Sequence, residues 1–266
     1  MHDICLDLLT EYRELTALCE TLTPQQWLQR SEFYGWTPWD EIAHLCYFDE
    51  TGLQSATDPE GFARDAALLN QRMALGEEIS AVAREHYGSF TGPALLARWR
   101  QLYESLVDTL ANLDPKSRLA WYGPPMSARS FATARLMETW AHGQDIWDVV
   151  GRRRPQTARL KHIAHLGVTT FRWTFINRKL EVPPNVPYVE LLAPDAGVWS
   201  WNDLSTESFV RGSAEDFCLL VTQRRHLADT ELEYGGESVR KWLSIAQCFA
   251  GPPADGPAPG VRRVIY

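Results

Sequence analysis

Lysine, long apolar runs and basic clusters are scarce in this 266-residue sequence, and each scarcity excludes a class of protein. Only four of the 26 basic residues are lysines, the net charge is −8, and the longest basic run is the triplet at residues 152–154. An acidic chain of this kind is a poor candidate for binding nucleic acid or an anionic membrane. No apolar stretch approaches the roughly 20 residues that a membrane-spanning helix needs. Acidic residues within the first dozen positions argue against a signal peptide.

Cysteine usage also restricts the class of protein. The five cysteines are odd in number and form no CxxC motif. In a chain of this length, that usage favours reduced, buried thiols over a disulfide framework and predicts a cytoplasmic protein. None of the five lies in a motif typical of a catalytic nucleophile, so a reaction that uses a thiol would need an external one.

The apolar pattern divides the chain into two modules. Up to residue 155, apolar residues recur every three or four positions and predict long helices with short connections, as in a helical bundle. Beyond it, β-rich runs alternate with helical stretches and predict an α/β module. The predicted domains are a bundle at 1–155, an α/β domain at 156–250 and a flexible Pro/Gly-rich tail at 251–266.

Local signals place the boundaries of several elements. Thr37–Pro38 predicts a helix start, with Asp40 completing a near capping box. Gly76 predicts a break in a long helical stretch, and Gly151 predicts the end of the last bundle helix. In the second module the pattern predicts a helix at 214–227.

Three residues have the spacing of a metal site. Glu138 and His142 are four residues apart on one predicted helix, so their side chains lie on the same helix face. His44 lies on another predicted helix, and facing helices of a bundle commonly hold metals. Three such ligands would leave coordination positions open, as at catalytic zinc sites. The alternative is that the Glu–His pair is a solvated stripe or a weak i,i+4 contact and that His44 is an ordinary core or surface histidine.

These segments also resemble a known family. GWTPWDEIAHL, followed about 90 residues later by METWAHGQDIWDVVG, is similar to the mycothiol-dependent maleylpyruvate isomerase family, part of the DinB-like group of metal-binding proteins. The resemblance implies a DinB-like four-helix bundle followed by a small α/β domain resembling sterol-carrier proteins. It implies that His44, Glu138 and His142 bind a divalent metal, with zinc expected and nickel an alternative. It also implies mycothiol as the thiol cosubstrate.

A looser part of the resemblance lies in the second module. In the family, a Gly-Arg pair closes a leucine-rich helix, and its arginine belongs to the active site. The corresponding pair here is Gln223–Arg224, with Arg225 and His226 directly after it. Arg224 is therefore the candidate catalytic residue, expected to hold a substrate carboxylate. Two alternatives are that Arg225 takes this place and that both arginines neutralise a helix C-terminus.

Two acidic residues lie near the predicted ligands. Asp40 precedes His44 by four residues, and Asp145 follows His142 by three. Either carboxylate is suitably placed to orient an imidazole by accepting its second N–H. Asp40 is equally suited to cap its helix.

The predicted chemistry follows from a three-ligand divalent site. Such a site is a Lewis acid that lowers the pKa of a thiol from about 8.5 into the physiological range. A thiolate that adds to a conjugated double bond and later leaves gives isomerisation, and one that stays gives S-transfer.

The sequence thus predicts a mycothiol-dependent isomerase or S-transferase, a monomer or homodimer, acting on a small electrophilic substrate that carries a carboxylate. The alternatives are a metal-dependent hydrolase that activates water and a non-catalytic small-molecule-binding protein.

Overall fold

The computed structural model describes residues 1–262, which form two compact units. The first unit is Met1–Val150, and the second begins at Gly151. No helix within residues 1–262 combines the length and the apolar character that crossing a membrane would require.

Four long helices build the first unit. α1 and α3 each pack against both α6 and α7, so the four helices enclose one core. The predicted apolar stripes form that core, and burial of each large side chain stabilises the fold by roughly 1.5–3 kcal/mol. The predicted four-helix bundle is confirmed. Its helices are α1 (His2–Cys19), α3 (Pro38–Thr57), α6 (Gly92–Ala111) and α7 (Ala128–Val150).

Short elements connect these helices. Gly76, with a φ of +88°, lies at the predicted break, between the short helices Pro59–Ala74 and Ile79–Tyr87. A β-ribbon of two antiparallel strands, each two residues long, precedes α7. The connecting elements are α2 (Pro24–Trp27), α4 (Pro59–Ala74), α5 (Ile79–Tyr87), β1 (Arg118–Leu119) and β2 (Met126–Ser127).

The ends of α3 and α7 follow the predicted signals. The Thr37 hydroxyl accepts the Asp40 N–H at 3.3 Å, and the Asp40 carboxylate accepts the Thr37 N–H at 2.9 Å, which forms a reciprocal capping box. Pro38 occupies the first turn, where its missing N–H costs nothing. α7 ends at Val150, and Gly151 follows with a φ of +63°.

The second unit is an α/β fold. Its sheet has the strand order β4-β3-β5-β6, with β3 parallel to β5 and the other neighbours antiparallel. Val189 and Val210 are paired at its centre and are fully buried. The predicted fold class, a helical bundle followed by a small α/β domain, is confirmed. The elements are α8 (Leu160–Thr169), α9 (Phe171–Asn177), β3 (Tyr188–Leu192), β4 (Val198–Trp201), β5 (Phe209–Ser213), α10 (Ala214–Val221), β6 (Glu233–Gly235) and α11 (Glu237–Ile245).

α10 is shorter than its pattern predicts. The helix expected at 214–227 ends at Val221. Gln223 adopts a φ of +59°, and the N–H groups of Gln223 and Arg224 donate to the carbonyls of Leu220 and Leu219. These bonds close the last turn as a helix C-cap does, although no glycine marks the position.

The Pro/Gly-rich tail is anchored over residues 251–262, and residues 263–266 of the predicted segment lie outside the described residues. Arg178 Nη1 lies 2.9 Å from Asp255 Oδ1, Gln223 Nε2 donates to the Ala254 carbonyl at 2.7 Å, and the Gly260 N–H donates to the Asp229 carboxylate at 2.8 Å. The prediction of a flexible tail is therefore wrong for residues 251–262, because long-range polar contacts hold them.

Close approach of α3 and α7 depends on Gly52. A Cβ atom added there would lie 2.7 Å from the Cζ atom of the fully buried Phe131. We expect Gly52→Ala to lower the free energy of unfolding by about 1–3 kcal/mol, because overpacking outweighs the gain in helix propensity. Denaturant unfolding measures the change.

Gly123→Ala is the matched control. Its added Cβ meets nothing within 4 Å, so we expect a change within about 0.5 kcal/mol. Equal stability of the two variants would contradict the close approach at Gly52.

Candidate metal centre

The three predicted ligands converge between α3 and α7. One donor atom from each of His44, Glu138 and His142 lies within 4.8 Å of the other two. His142 Nε2 is 3.3 Å from Glu138 Oε2, and the ring centroids of His44 and His142 are 4.4 Å apart. Zinc ligands lie about 2.0–2.2 Å from the ion, so donors grouped this closely fit a single cation.

The three candidate ligands differ in solvent exposure. The His142 side chain is 5% exposed, whereas that of Glu138 is 23% exposed. His44 is half-buried. The Glu138 side therefore faces solvent, and the His142 side faces the core of the bundle.

Glu41 is a further member of the site that the sequence motifs did not indicate. Its Oε2 atom lies 2.7 Å from His142 Nδ1, and the residue is 1% exposed. Glu41 precedes His44 by three residues, so both project from the same face of α3. That spacing is the signal in the sequence that could have revealed it.

Asp145 lies in the same buried region. Ligand atoms of Glu41, His142 and Asp145 are all within 4.8 Å of one another, and all three residues are buried. The structure thus places Asp145 beside His142, as its position on α7 suggested. Its imidazole-orienting role stays a prediction.

Asp40 corrects one prediction. Its Oδ2 atom accepts the N–H and the hydroxyl of Thr37 at 2.9 and 2.8 Å, and its Oδ1 atom accepts the Arg84 Nε–H at 2.7 Å. The capping alternative is therefore observed, and the prediction that Asp40 orients an imidazole is wrong. The third position of α3 directs this carboxylate to the helix N-terminus.

The contacts of Asp40 also set its ionisation. Burial alone would raise the pKa of this carboxyl, but the hydrogen bonds from Arg84 and Thr37 outweigh it and hold the pKa below its usual value of 3.8.

Aromatic rings pack around both histidines. Trp36 stacks on His142 with a centroid distance of 5.9 Å and an interplanar angle of 12°, and it lies 5.3 Å from the His44 ring. Phe33 meets His142 edge-on at 5.5 Å, and Phe48 meets His44 at 4.7 Å. These rings restrict the imidazole orientations and displace water, which strengthens electrostatic interactions at the site.

A buried ion pair lies deeper in the same bundle. Asp49 Oδ1 accepts hydrogen bonds from the Tyr12 hydroxyl at 2.6 Å and from Arg135 Nε at 2.8 Å, and Asp49 Oδ2 accepts one from Trp99 Nε1 at 2.7 Å. Burial opposes the charge on Arg135, but Asp49 and Tyr12 outweigh it and raise its pKa. Each of the four bundle helices contributes one of these residues.

The five cysteines lie in the interior of the protein. All five are buried and none of them forms a disulfide, which confirms the prediction of reduced, buried thiols. Burial raises the pKa of Cys46 to about 12, and it also raises the pKa values of Cys19 and Cys218. These thiols stay protonated at neutral pH and are poor nucleophiles.

In the second unit, the structure favours one register for the candidate arginine. The left-handed φ of Gln223 is a conformation that suits glycine, which supports matching Gln223 rather than Arg224 to the glycine of the Gly-Arg pair. Arg224 and Arg225 are both buried, and their Nη1 atoms donate to the carbonyls of Thr222 and Arg224 at 2.8 and 2.9 Å. The catalytic role of Arg224 stays a prediction.

Comparison with known proteins places the bundle in a family. The model described as "Mycothiol maleylpyruvate isomerase N-terminal domain" matches residues 8–147. The chain belongs to the mycothiol maleylpyruvate isomerase family. The matched segment contains all three candidate ligands, His44, Glu138 and His142.

Relatives of this family member extend over both units. Two uncharacterized proteins of Mycobacterium tuberculosis, from strains CDC 1551 and H37Rv, are each 44% identical over 254 residues, which is 94% of this chain and 96% of theirs. Crystal structures of the mycothiol-dependent maleylpyruvate isomerase and of its histidine-to-alanine mutant have TM-scores of 0.52 and 0.53. Each covers 82% of this chain and 87% of its own at 12% identity, so this likeness concerns the fold alone.

The capping role of Asp40 generates a pH-dependent prediction. We expect Asp40→Asn to cost about 1 kcal/mol of stability near neutral pH. Because folding depresses the pKa of Asp40, this contribution is present above 3.8 and is lost as the pH falls through the folded value. Denaturant unfolding of the wild type and of Asp40→Asn, both freed of metal with a chelator, measures this contribution between about pH 3 and 7. A stability difference between the two proteins that does not depend on pH would contradict this assignment. Arg84→Gln should lose stability over the same pH range.

The buried ion pair generates a second prediction. Asp49→Ala leaves Arg135 charged and without its carboxylate in the core, so we expect a loss of about 3–5 kcal/mol in the free energy of unfolding. Asp108→Ala, at an exposed position of α6, is the control and should change stability by less than about 0.5 kcal/mol. Similar unfolding midpoints for the two variants would show that the pair is not needed.

Proposed function

We propose that this family member is a divalent-metal-dependent enzyme that uses mycothiol. It would isomerise a small electrophilic substrate that carries a carboxylate, or transfer the thiol to it. The observation that carries the proposal is the convergence of donor atoms from His44, Glu138 and His142 within 4.8 Å. Family membership and the fold shared with the mycothiol-dependent maleylpyruvate isomerase support the use of a thiol.

The donor set fits a catalytic cation. Two imidazoles and one carboxylate are the ligands of many catalytic zinc sites, and they leave a position for substrate. We propose zinc as the metal, with nickel as the alternative, because the same donors suit both. A cation bound here would supply Lewis acidity that lowers the pKa of a thiol or of water.

The remaining residues define how substrates would approach. The Glu138 side chain is 23% exposed and that of His142 only 5%, so we propose that a thiol and an electrophile would enter from the Glu138 side. The rings of Phe33, Trp36 and Phe48 pack against the imidazoles and keep water from that part of the site.

The reacting thiol must come from outside the chain. Burial raises the pKa values of Cys19, Cys46 and Cys218 and keeps these thiols protonated, which supports an external cosubstrate. We propose Arg224 as the partner of the substrate carboxylate, since a guanidinium binds carboxylates through two parallel hydrogen bonds. The cytoplasmic location and the monomeric or dimeric state stay predictions.

Metal binding is the first test. We expect the wild-type protein, reconstituted with Zn²⁺, to retain about one ion per chain, and His142→Ala to bind at least about 100-fold more weakly because it loses a ligand. Elemental analysis and competition with a chromophoric chelator measure both quantities. His2→Ala changes an exposed histidine and should bind like the wild type. A wild type without metal, or full retention by His142→Ala, would refute the proposal.

Thiol dependence is the second test. The loaded protein is incubated with mycothiol and a panel of cis-unsaturated carboxylic acids, and proton NMR follows cis-to-trans conversion and thioether formation. We expect turnover that requires both the thiol and His142. A hydrolysis product formed without thiol would instead indicate a hydrolase. Arg224→Gln should raise the KM for carboxylate-bearing substrates more than it lowers kcat.

A further inference from the structure

Two carboxylates flank the ring of His142, one at each nitrogen. Glu41 Oε2 is 2.7 Å from Nδ1, and Glu138 Oε2 is 3.3 Å from Nε2. A neutral imidazole carries one proton, so one nitrogen donates a hydrogen bond and the other keeps a lone pair. The shorter contact is with Glu41, on the buried side of the ring.

We propose that Glu41 is a positioning residue that keeps the proton of His142 on Nδ1, so that Nε2 carries the lone pair with which this histidine would bind the metal. This inference rests on the proposed function, because it concerns the same site. It assigns a role to a residue that the sequence motifs did not single out.

The surroundings of Glu41 make this contact selective. At 1% exposure, its carboxylate is shielded from water that would compete for the Nδ1–H. Trp36 stacks on the same imidazole and Phe33 contacts its edge, so the ring has little freedom to flip. A metal-bound histidine that donates its other N–H to a carboxylate is held in one tautomer and is a stronger ligand.

The position of Glu41 also links two helices. Glu41 and His44 project from one face of α3, whereas His142 comes from α7. The segment that supplies one ligand therefore also orients the other. A shift of α3 along α7 would disturb both contacts together.

A competing arrangement uses the other side of the ring. Glu41, His142 and Asp145 also bring ligand atoms within 4.8 Å of one another, and a cation bound there would take Nδ1. The separation of 2.7 Å between Glu41 and Nδ1 is a normal hydrogen-bond length, which favours a proton in that position. The two arrangements predict opposite tautomers.

The test reads the tautomer directly in metal-free protein. Nitrogen-15 NMR of the imidazole is recorded near pH 9, well above the usual histidine pKa of about 6.5. We expect the proton on Nδ1 in the wild type and in Glu41→Gln, whose amide oxygen still accepts it. In Glu41→Leu we expect it on Nε2, which faces Glu138. Adding Asp145→Ala to Glu41→Leu checks that the nearby Asp145 carboxylate does not accept the Nδ1–H in place of Glu41. The matched control is Glu50→Gln on the same helix, where Glu50 contacts His86.

Metal affinity is the second readout. With Co²⁺ as the probe, we expect Glu41→Leu to bind about 10–100-fold more weakly, Glu41→Gln to recover part of the loss, and Glu50→Gln to match the wild type. Circular dichroism and thermal unfolding check that each variant folds. If Glu41→Leu does not fold, the comparison of Glu41→Gln with the wild type is the test.

The outcomes separate the two proposals. If Glu41→Leu keeps both the Nδ1 proton and the wild-type affinity, the inference about Glu41 is wrong and the metal site stands. If the wild type has its proton on Nε2, or if Glu41→Gln loses the metal as fully as His142→Ala, Glu41 acts as a ligand and the inference is overturned. If the wild type binds no metal, the proposed function fails, while the tautomer result still tests Glu41.

Discussion

The bundle depends on the hydrogen-bonded ion pair between Asp49 and Arg135. Tyr12 and Trp99 complete it, so that one carboxylate joins side chains from all four long helices. A buried charge without such partners would cost several kcal/mol, which makes the relative positions of the helices specific rather than merely compact. Glu138 follows Arg135 by three residues on α7, and His44 precedes Asp49 by five on α3. The alignment that satisfies the ion pair is therefore also the alignment that brings the candidate ligands together.

Four polar residues with different roles lie within a ten-residue stretch of α3. Asp40 caps the helix N-terminus, Glu41 contacts the imidazole of His142, His44 is one of the candidate ligands, and Asp49 bonds to the other three long helices. Because successive residues of a helix point about 100° apart, two acidic residues that are adjacent in sequence contact different parts of the structure. This explains why Asp40 and Glu41, adjacent in the chain, contact an arginine and a histidine respectively.

Much of this architecture could be predicted from local sequence. Apolar periodicity gave the bundle, and Gly76 and Gly151 marked helix ends because glycine adopts the required left-handed backbone. The pair Glu138 and His142 was recognisable because its spacing is fixed within one helix. The contact of Glu41 spans 101 residues and had no local signal beyond its distance from His44. The early end of α10 was missed because Gln223 takes a conformation that its side chain does not indicate.

The burial of all five cysteines has a consequence for an enzyme of the proposed type. A catalyst that brings sulfur nucleophiles and electrophiles together is exposed to alkylation by its own reactants. Here the sulfur atoms lie inside the two folded units, and desolvation keeps those of Cys46 and Cys218 in the unreactive thiol form. In an enzyme of the proposed type, interior placement would thus protect the protein from self-inactivation without removing cysteine from its composition. It also makes alkylation of these sulfurs a native reporter of local unfolding.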